Sequence, residues 1–236
     1  MPTKPNGEID VLHRSPLFFY IRLLLTKTDF YDKLTTNQDL EHKLQKILII
    51  LLVLLIPVTV EAKQYKLLII GDSITHTKFS YGYLFQKIYP TRVIAKSGAS
   101  VRWMYQQIEN LSLEGYTHLL ILGGVNDINN YRLRYTKKYL LKIYRKAKQS
   151  GLTIIGITLS PWKGWPSWNI QKHKLTLSLN RWIKNQSIDY VADLYELVKN
   201  PQDNQELAPK YKKWTHGLHF NKLAHKALFR YIAQIL

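Results

Sequence analysis

The 236-residue chain has no cysteine, which removes disulfide frameworks, thiolate metal sites and cysteine nucleophiles together. The absence leaves the compartment open. Acidic residues are scarce: 16 Asp and Glu stand against 34 Lys and Arg, a formal net charge of +18. Such a chain attracts anions. Its basic residues are spread along the sequence and are densest in "YRLRYTKKYLLKIYRKAK", Tyr131 to Lys148. Helical spacing there turns Leu140, Leu141, Ile143 and Tyr144 inward and the basic residues to solvent. We read a basic surface rather than a specific nucleic-acid interface; attraction to anionic glycans or lipid headgroups is what the charge supports. Internal repeats and low-complexity tracts are also lacking. With 46% hydrophobic residues the composition is globular, and the length suits one well-buried domain with some extra chain.

Long hydrophobic runs are few, and one stands apart. Lys43 to Ala62 reads "KLQKILIILLVLLIPVTVEA": two lysines, an apolar run from Ile47 to Ile56 continued past Pro57 to Val60, then Val60-Glu61-Ala62 as a loose small-x-small site. That is the layout of a secretory signal peptide. The run is short beside the ~20 residues a spanning helix wants. The competing readings are a buried core helix and a membrane anchor acting through residues 47–60. The expected localisation is exported, periplasmic or extracellular, or anchored facing outside the cytoplasm. Residues 1–40 precede the run, with mixed charge and one aromatic-rich patch, Leu17 to Leu25, and no methionine separates Met1 from Met104. Our reading is that translation begins at a non-ATG codon near Leu40; the competitor is an anchored protein with a cytoplasmic extension. The expected division is 1–40 extension, 41–62 signal or anchor, and 63–236 main domain.

From Gln64 onward, strand and helix patterns alternate. "YKLLII", "TRVIA", "THLLILGG", "LTIIGITLSP" and "DYVADLY" read as strands. "YGYLFQKIY", "SVRWMYQQIENL", the basic stretch ended by Gly151, Lys172 to Gln186 and "LAHKALFRYIAQIL" read as helices. Continuous rather than alternating apolar strands separated by helices predict a parallel sheet covered on both faces.

In such a sheet, sites form beyond the carboxyl ends of the strands. Three strands end unusually: in "GDS" at Gly71 to Ser73, in "KSGAS" around Gly98, and in "GGVNDI" from Gly123. Each alone has a bland reading as turn or helix cap. On one edge they supply a hydroxyl, a close-approach backbone amide and a side-chain amide. Acyl transfer needs that set plus a histidine base. "THGLHFN", Thr215 to Asn221, offers His219 just before the last helix.

The ordered blocks "GDSIT", "SGAS", "GGVND" and "GLHFN" resemble the SGNH (GDSL) hydrolase superfamily, from Tyr65 to the C-terminus. The resemblance implies a three-layer α/β/α, flavodoxin-like fold with a parallel five-stranded sheet. It implies Ser73 as nucleophile and His219 as base. The oxyanion donors would be the Ser73 and Gly98 backbone N–H groups and the Asn126 side chain. No cofactor and no metal are expected; His216, His219 and His225 are read as something other than a metal cluster, with His225 in the final helix.

The sequence departs from the family at one position. Asp usually stands three residues before the histidine, and here that position is His216, a candidate third member that in its neutral form can accept the hydrogen bond of His219 but carries no negative charge. Losing the carboxylate in the protease template lowers the rate about 10⁴-fold. Some family members work as serine–histidine dyads; Asp193 and Glu206 are candidate substitutes. In "SPWKGWPSW", Trp162, Trp165 and Trp168 read as a platform for a sugar ring or a wall for an acyl chain, against indoles packed on the domain. The expected function is a serine esterase acting on small acyl esters, including carbohydrate O-acetyl esters. The alternatives are a catalytically impaired domain that binds a glycan, and an O-acyltransferase.

Overall fold

A computed structural model describes residues 42–50, 64–213 and 217–236. The chain divides into two units, 1–62 and 63–236. In the first, residues 42–50 are helical and exposed. Residues 51–63, which hold most of the expected export signal and its cleavage site, lie outside the described residues, as do residues 1–41. Among the described residues no helix is long and apolar enough to cross a membrane.

The second unit is built on five parallel strands: β1 Leu67–Gly71, β2 Thr91–Ala95, β3 His118–Leu122, β4 Thr153–Ile157 and β5 Tyr190–Ala192, in the order β2-β1-β3-β4-β5. This is the flavodoxin-like order, whose reversal point lies between β1 and β3. Every residue of β1 and β3 is buried, which is why both read as unbroken apolar runs. Gly71 pairs with Ala95 on one side and Leu122 on the other, so β1, β2 and β3 end level.

Helices cover both faces. On one face lie α2 (Tyr81–Gln86), α7 (Leu194–Val198) and the closing α8 (Lys222–Ala233). Phe85 of α2 meets Phe229 of α8 at 4.7 Å between ring centroids. On the other face lie α3 (Val101–Glu109), α4 (Val125–Asn129), α5 (Leu133–Gln149) and α6 (Ile170–Lys184). A single turn, α1 (Ser73–His76), follows β1. Burying each large aliphatic side chain of β1 and β3 contributes about 1.5–3 kcal/mol, so the central strands hold much of the domain's stability.

The expected elements are present; three are clearly shorter than expected, and one helix buries a different set of residues. The first helix stops at Gln86 rather than Tyr89. The fourth strand ends at Ile157, because Asn180 takes over the backbone beyond it: its Oδ1 accepts from Leu159 N at 2.7 Å and its Nδ2 donates to Leu159 O at 2.8 Å. The fifth strand is cut to Tyr190–Ala192, since Asp193 caps α7 by accepting from Glu196 N. In the basic helix Leu140, Ile143 and Tyr144 are buried as expected, together with Thr136 and Ala147, but Leu141 is only half-buried. Leu141 falls at the flank of the apolar stripe, beside Lys138 and Lys142.

Candidate active site

The level ends of β1, β2 and β3 bring three loops to one edge. Ser73 opens α1 directly after β1. The cap of that turn is Asp72, whose carboxylate accepts from Ile74 N at 3.0 Å. The Ser73 hydroxyl is therefore released from capping, and it lies 3.1 Å from His219 Nε2. In the tautomer that leaves Nε2 as acceptor, Ser73 O–H donates to it.

His219 comes from the far end of the chain. Lys212 and Phe220 pair antiparallel, Lys213 N donates to His219 O at 3.1 Å, and Asn221 N donates to Tyr211 O at 3.0 Å. His219 thus stands on the return arm of a short hairpin. Asn221 then caps α8 by accepting from Leu223 N and Ala224 N. The hairpin is pressed on the loop after β4: a Cβ added at Gly217 would stand 2.0 Å from Lys163 O, so only glycine permits this approach. His216 lies outside the described residues, with Trp214 and Thr215.

Gly98, in the loop after β2, is exposed, with φ of +73° and open space around its Cα. That left-handed conformation favours glycine. Among the described residues its N–H donates to no backbone carbonyl. Asn126, in α4 after β3, donates from Nδ2 to Ala99 O at 3.0 Å, which ties its amide to the Gly98 loop. An amide nitrogen carries two hydrogens, and this bond uses one.

Two acids stand behind these residues. Asp127 Oδ2 accepts from Val101 N at 2.9 Å, a second tie between the β3 loop and the start of α3. Burial raises the Asp127 carboxyl above its usual range. Asp72 is wholly buried, and burial pushes its carboxyl up to about 7, with the negative charge of Asp127 adding to the rise. The pairing of Asp127 with Val101 had no signal in the sequence beyond the position of Asp127 inside "GGVND".

A pocket of about 270 Å³ opens beside Ser73 and His219, and Lys213, His76 and His225 also line it. His225 is buried in α8, and burial holds its imidazole down at about 4, helped by the charges of Lys213 and His219.

The three tryptophans behave differently from one another. Trp165 meets His219 edge to face at 5.5 Å between centroids, so it stands at the site. Trp162 is a correction: it is 1% exposed and its Nε1 donates to Thr176 Oγ1 at 2.9 Å, so it is a core side chain and offers no face to a substrate. Trp168 is half-buried and packs near His173. The two candidate substitutes for the carboxylate have other partners. Asp193 pairs with Lys184 and accepts from Thr158 Oγ1, and Glu206 pairs with Lys212 at 2.8 Å.

The sheet order defines a class by fold, the flavodoxin-like three-layer α/β proteins. Within that class, residues 69–227 match the family model described as the GDSL-like lipase/acylhydrolase family, and the chain belongs to that family. Ester hydrolysis is the general chemistry that membership carries. A GDSL-like lipase from Bacteroides thetaiotaomicron is similar in structure, with a TM-score of 0.62 at 20% identity over 72% of this chain and 86% of that one. An acetyl xylan esterase superposes with a TM-score of 0.58 at 16% identity, over 72% of this chain and 99% of that one. The psychrotrophic esterase EstA from Pseudoalteromonas gives 0.54 at 15% identity, over 72% and 96%. No sequence among curated proteins matches the chain.

Proposed function

We propose that the protein is an exported serine esterase that hydrolyses small acyl esters, carbohydrate O-acetyl groups among them, through an acyl-Ser73 intermediate. The observation that carries the reading is the 3.1 Å approach of Ser73 Oγ to His219 Nε2. Ser73 Oγ attacks the ester carbonyl while His219 takes its proton. The Ser73 and Gly98 N–H groups and the second Nδ2 hydrogen of Asn126 receive the oxyanion. Collapse of the intermediate breaks the ester C–O bond, and His219 returns the proton to the departing alcohol. Water, activated by the same imidazole, then releases the acid. Nothing in this sequence needs a cofactor. A pocket of about 270 Å³ suits a short acyl group better than a long chain.

The test is turnover of 4-nitrophenyl acetate and butyrate by the full-length protein beside Ser73→Ala. Turnover that disappears in Ser73→Ala, with acetate and butyrate both accepted, supports the reading; turnover that survives the substitution overturns it. Export is tested separately, by sequencing the N-terminus of native protein recovered outside the cytoplasm.

A further inference from the structure

Helix α5 presents a face that neither the sheet nor the site uses. Arg134, Lys138 and Lys142 recur every four residues along it, Arg145 follows one turn on, and all four are exposed. With Tyr135 and Leu141 they line a groove of about 670 Å³. At 1.5 Å of rise per residue the row of cations is about 16 Å long. No described ion pair takes any of the four, and α5 itself holds no acid. Glu109, on the neighbouring α3, is engaged by the Tyr105 hydroxyl at 2.8 Å.

Tyrosine rings stand between the lysines. Tyr135 meets Tyr139 at 5.3 Å, and Tyr139 meets Tyr105 of α3 at 5.7 Å between centroids. Lys138 Nζ lies 6.0 Å from the ring centroids of both Tyr135 and Tyr139. Lys142 Nζ lies 5.6 Å from the Tyr139 centroid and 4.8 Å from that of Tyr105. Each ammonium is held against two rings by cation–π attraction. Two side chains that are ordinarily mobile are thereby ordered before a ligand arrives, which lowers the entropy that binding costs. The start of α5 is tied to the site edge, since Arg132 N donates at 2.9 Å to the carbonyl of Asp127, which lies in α4 beside Asn126. From there the helix returns towards the start of β4, so the row begins at the site edge and leads away from it.

A single file of cations fits a linear polymer better than a flat surface. A helix that lies in a lipid surface exposes Trp, Phe or Leu on the face it buries, whereas the aliphatic residue of this groove, Leu141, is half-buried. A single-stranded nucleic acid stacks its bases on open aromatic faces, whereas here the lysines lie against the rings. We propose that this face of α5 binds a linear acidic polysaccharide with a carboxylate on each sugar, and that Arg134, Lys138, Lys142 and Arg145 form its charge row. The inference uses neither Ser73 nor His219, and its test needs no turnover.

Calorimetry on the full-length protein at low salt sets polygalacturonate against dextran, and only the acidic polymer is expected to bind. Lys138→Gln/Lys142→Gln is expected to weaken that binding about tenfold. Lys174→Gln/Lys226→Gln removes equal charge from exposed positions on α6 and α8 and should leave affinity close to wild type. Tyr139→Phe, which keeps the ring, should bind as wild type does. Tyr139→Leu, which keeps the charge and loses the ring, should bind about threefold more weakly. Equal binding of dextran overturns the proposal. So do equal losses in the two double variants, which would leave net charge as the whole cause, and wild-type affinity in Tyr139→Leu. Vesicles of phosphatidylserine with phosphatidylcholine, and a thymidine oligonucleotide, are tested beside the polymer. Tighter binding of either, lost in Lys138→Gln/Lys142→Gln, gives the face to that partner and overturns the polysaccharide.

Discussion

Asp72 and His225 illustrate what burial does to single titratable groups, and they act in opposite directions on stability. The Asp72 carboxyl titrates near 7 in the fold against about 3.8 when unfolded. Between those values the unfolded chain loses its proton first, so stability falls as pH rises from about 4 to 7, by at most about 4 kcal/mol. His225 titrates near 4 in the fold against 6.5 unfolded. Between those values the unfolded chain holds the extra proton, so this group makes stability rise with pH from about 4 to 6.5. Over that window the two offset each other. Asp72→Asn keeps an oxygen to accept from Ile74 N and removes the first effect, so its denaturation midpoint should climb from pH 4 to 6.5. His225→Gln removes the second, so its midpoint should fall over the same range. Urea titrations across pH check both, and parallel profiles for wild type and the two variants would sink the account. This pair was hidden in the sequence, because only packing decides that a carboxylate next to a serine is fully enclosed. As candidates, Ser73, Gly98, Asn126 and His219 were legible because each stands in a short block with unusual neighbours. Trp162 was misread for the opposite reason: a proline- and glycine-rich loop has no periodicity, and the partner that buries its indole, Thr176, is on a distant helix.

Among the elements, the strands were the easiest to read and the short helices the hardest. β1 and β3 are enclosed on both faces, so their apolar runs match their extents closely. The single-turn helices α1, α4 and α7 carry too few residues to show a helical period, and capping side chains decide two of them. β4 was overread because its apolar run continues past the point where Asn180 captures the backbone. The hairpin that carries His219 was invisible, since its pairing partners flank residues with no strand pattern. Its fit against Lys163 gives a prediction. A Cβ at position 217 would meet the Lys163 carbonyl at 2.0 Å, backbone against backbone, so Gly217→Ala must move the hairpin. A displacement near 1 Å lowers catalysis by about 10². We expect kcat on 4-nitrophenyl acetate to fall by about that factor while the circular-dichroism spectrum is kept. Full activity in Gly217→Ala would show that the hairpin does not fix the histidine. Trp162→Ala should instead act on stability, lowering it by about 3–5 kcal/mol as a large core truncation, measured by urea unfolding.

At the scale of the whole molecule, the balance of 34 basic against 16 acidic residues governs how the protein meets its surroundings. The basic side chains of α5, among them Arg134, Lys138, Lys142 and Arg145, gather on one helix, and no acid lies within it. The protein should therefore be held on immobilised heparin at low ionic strength and released as salt approaches 1 M, where the screening length is about 3 Å. Elution at low salt would show that the charge is too dispersed to act together.

The order of the chain has a consequence in time. Ser73 and His219 are 146 residues apart, one after the first strand and the other just before the last helix. A growing polypeptide holds the proposed nucleophile and every proposed oxyanion donor once residue 126 has been made. It gains the proposed base only when the final hairpin leaves the ribosome and α8 closes over α2. Throughout its own synthesis, and during any passage across a membrane as an unfolded thread, the chain carries the proposed nucleophile without the proposed base, and only the closing of the last hairpin and helix brings the two together.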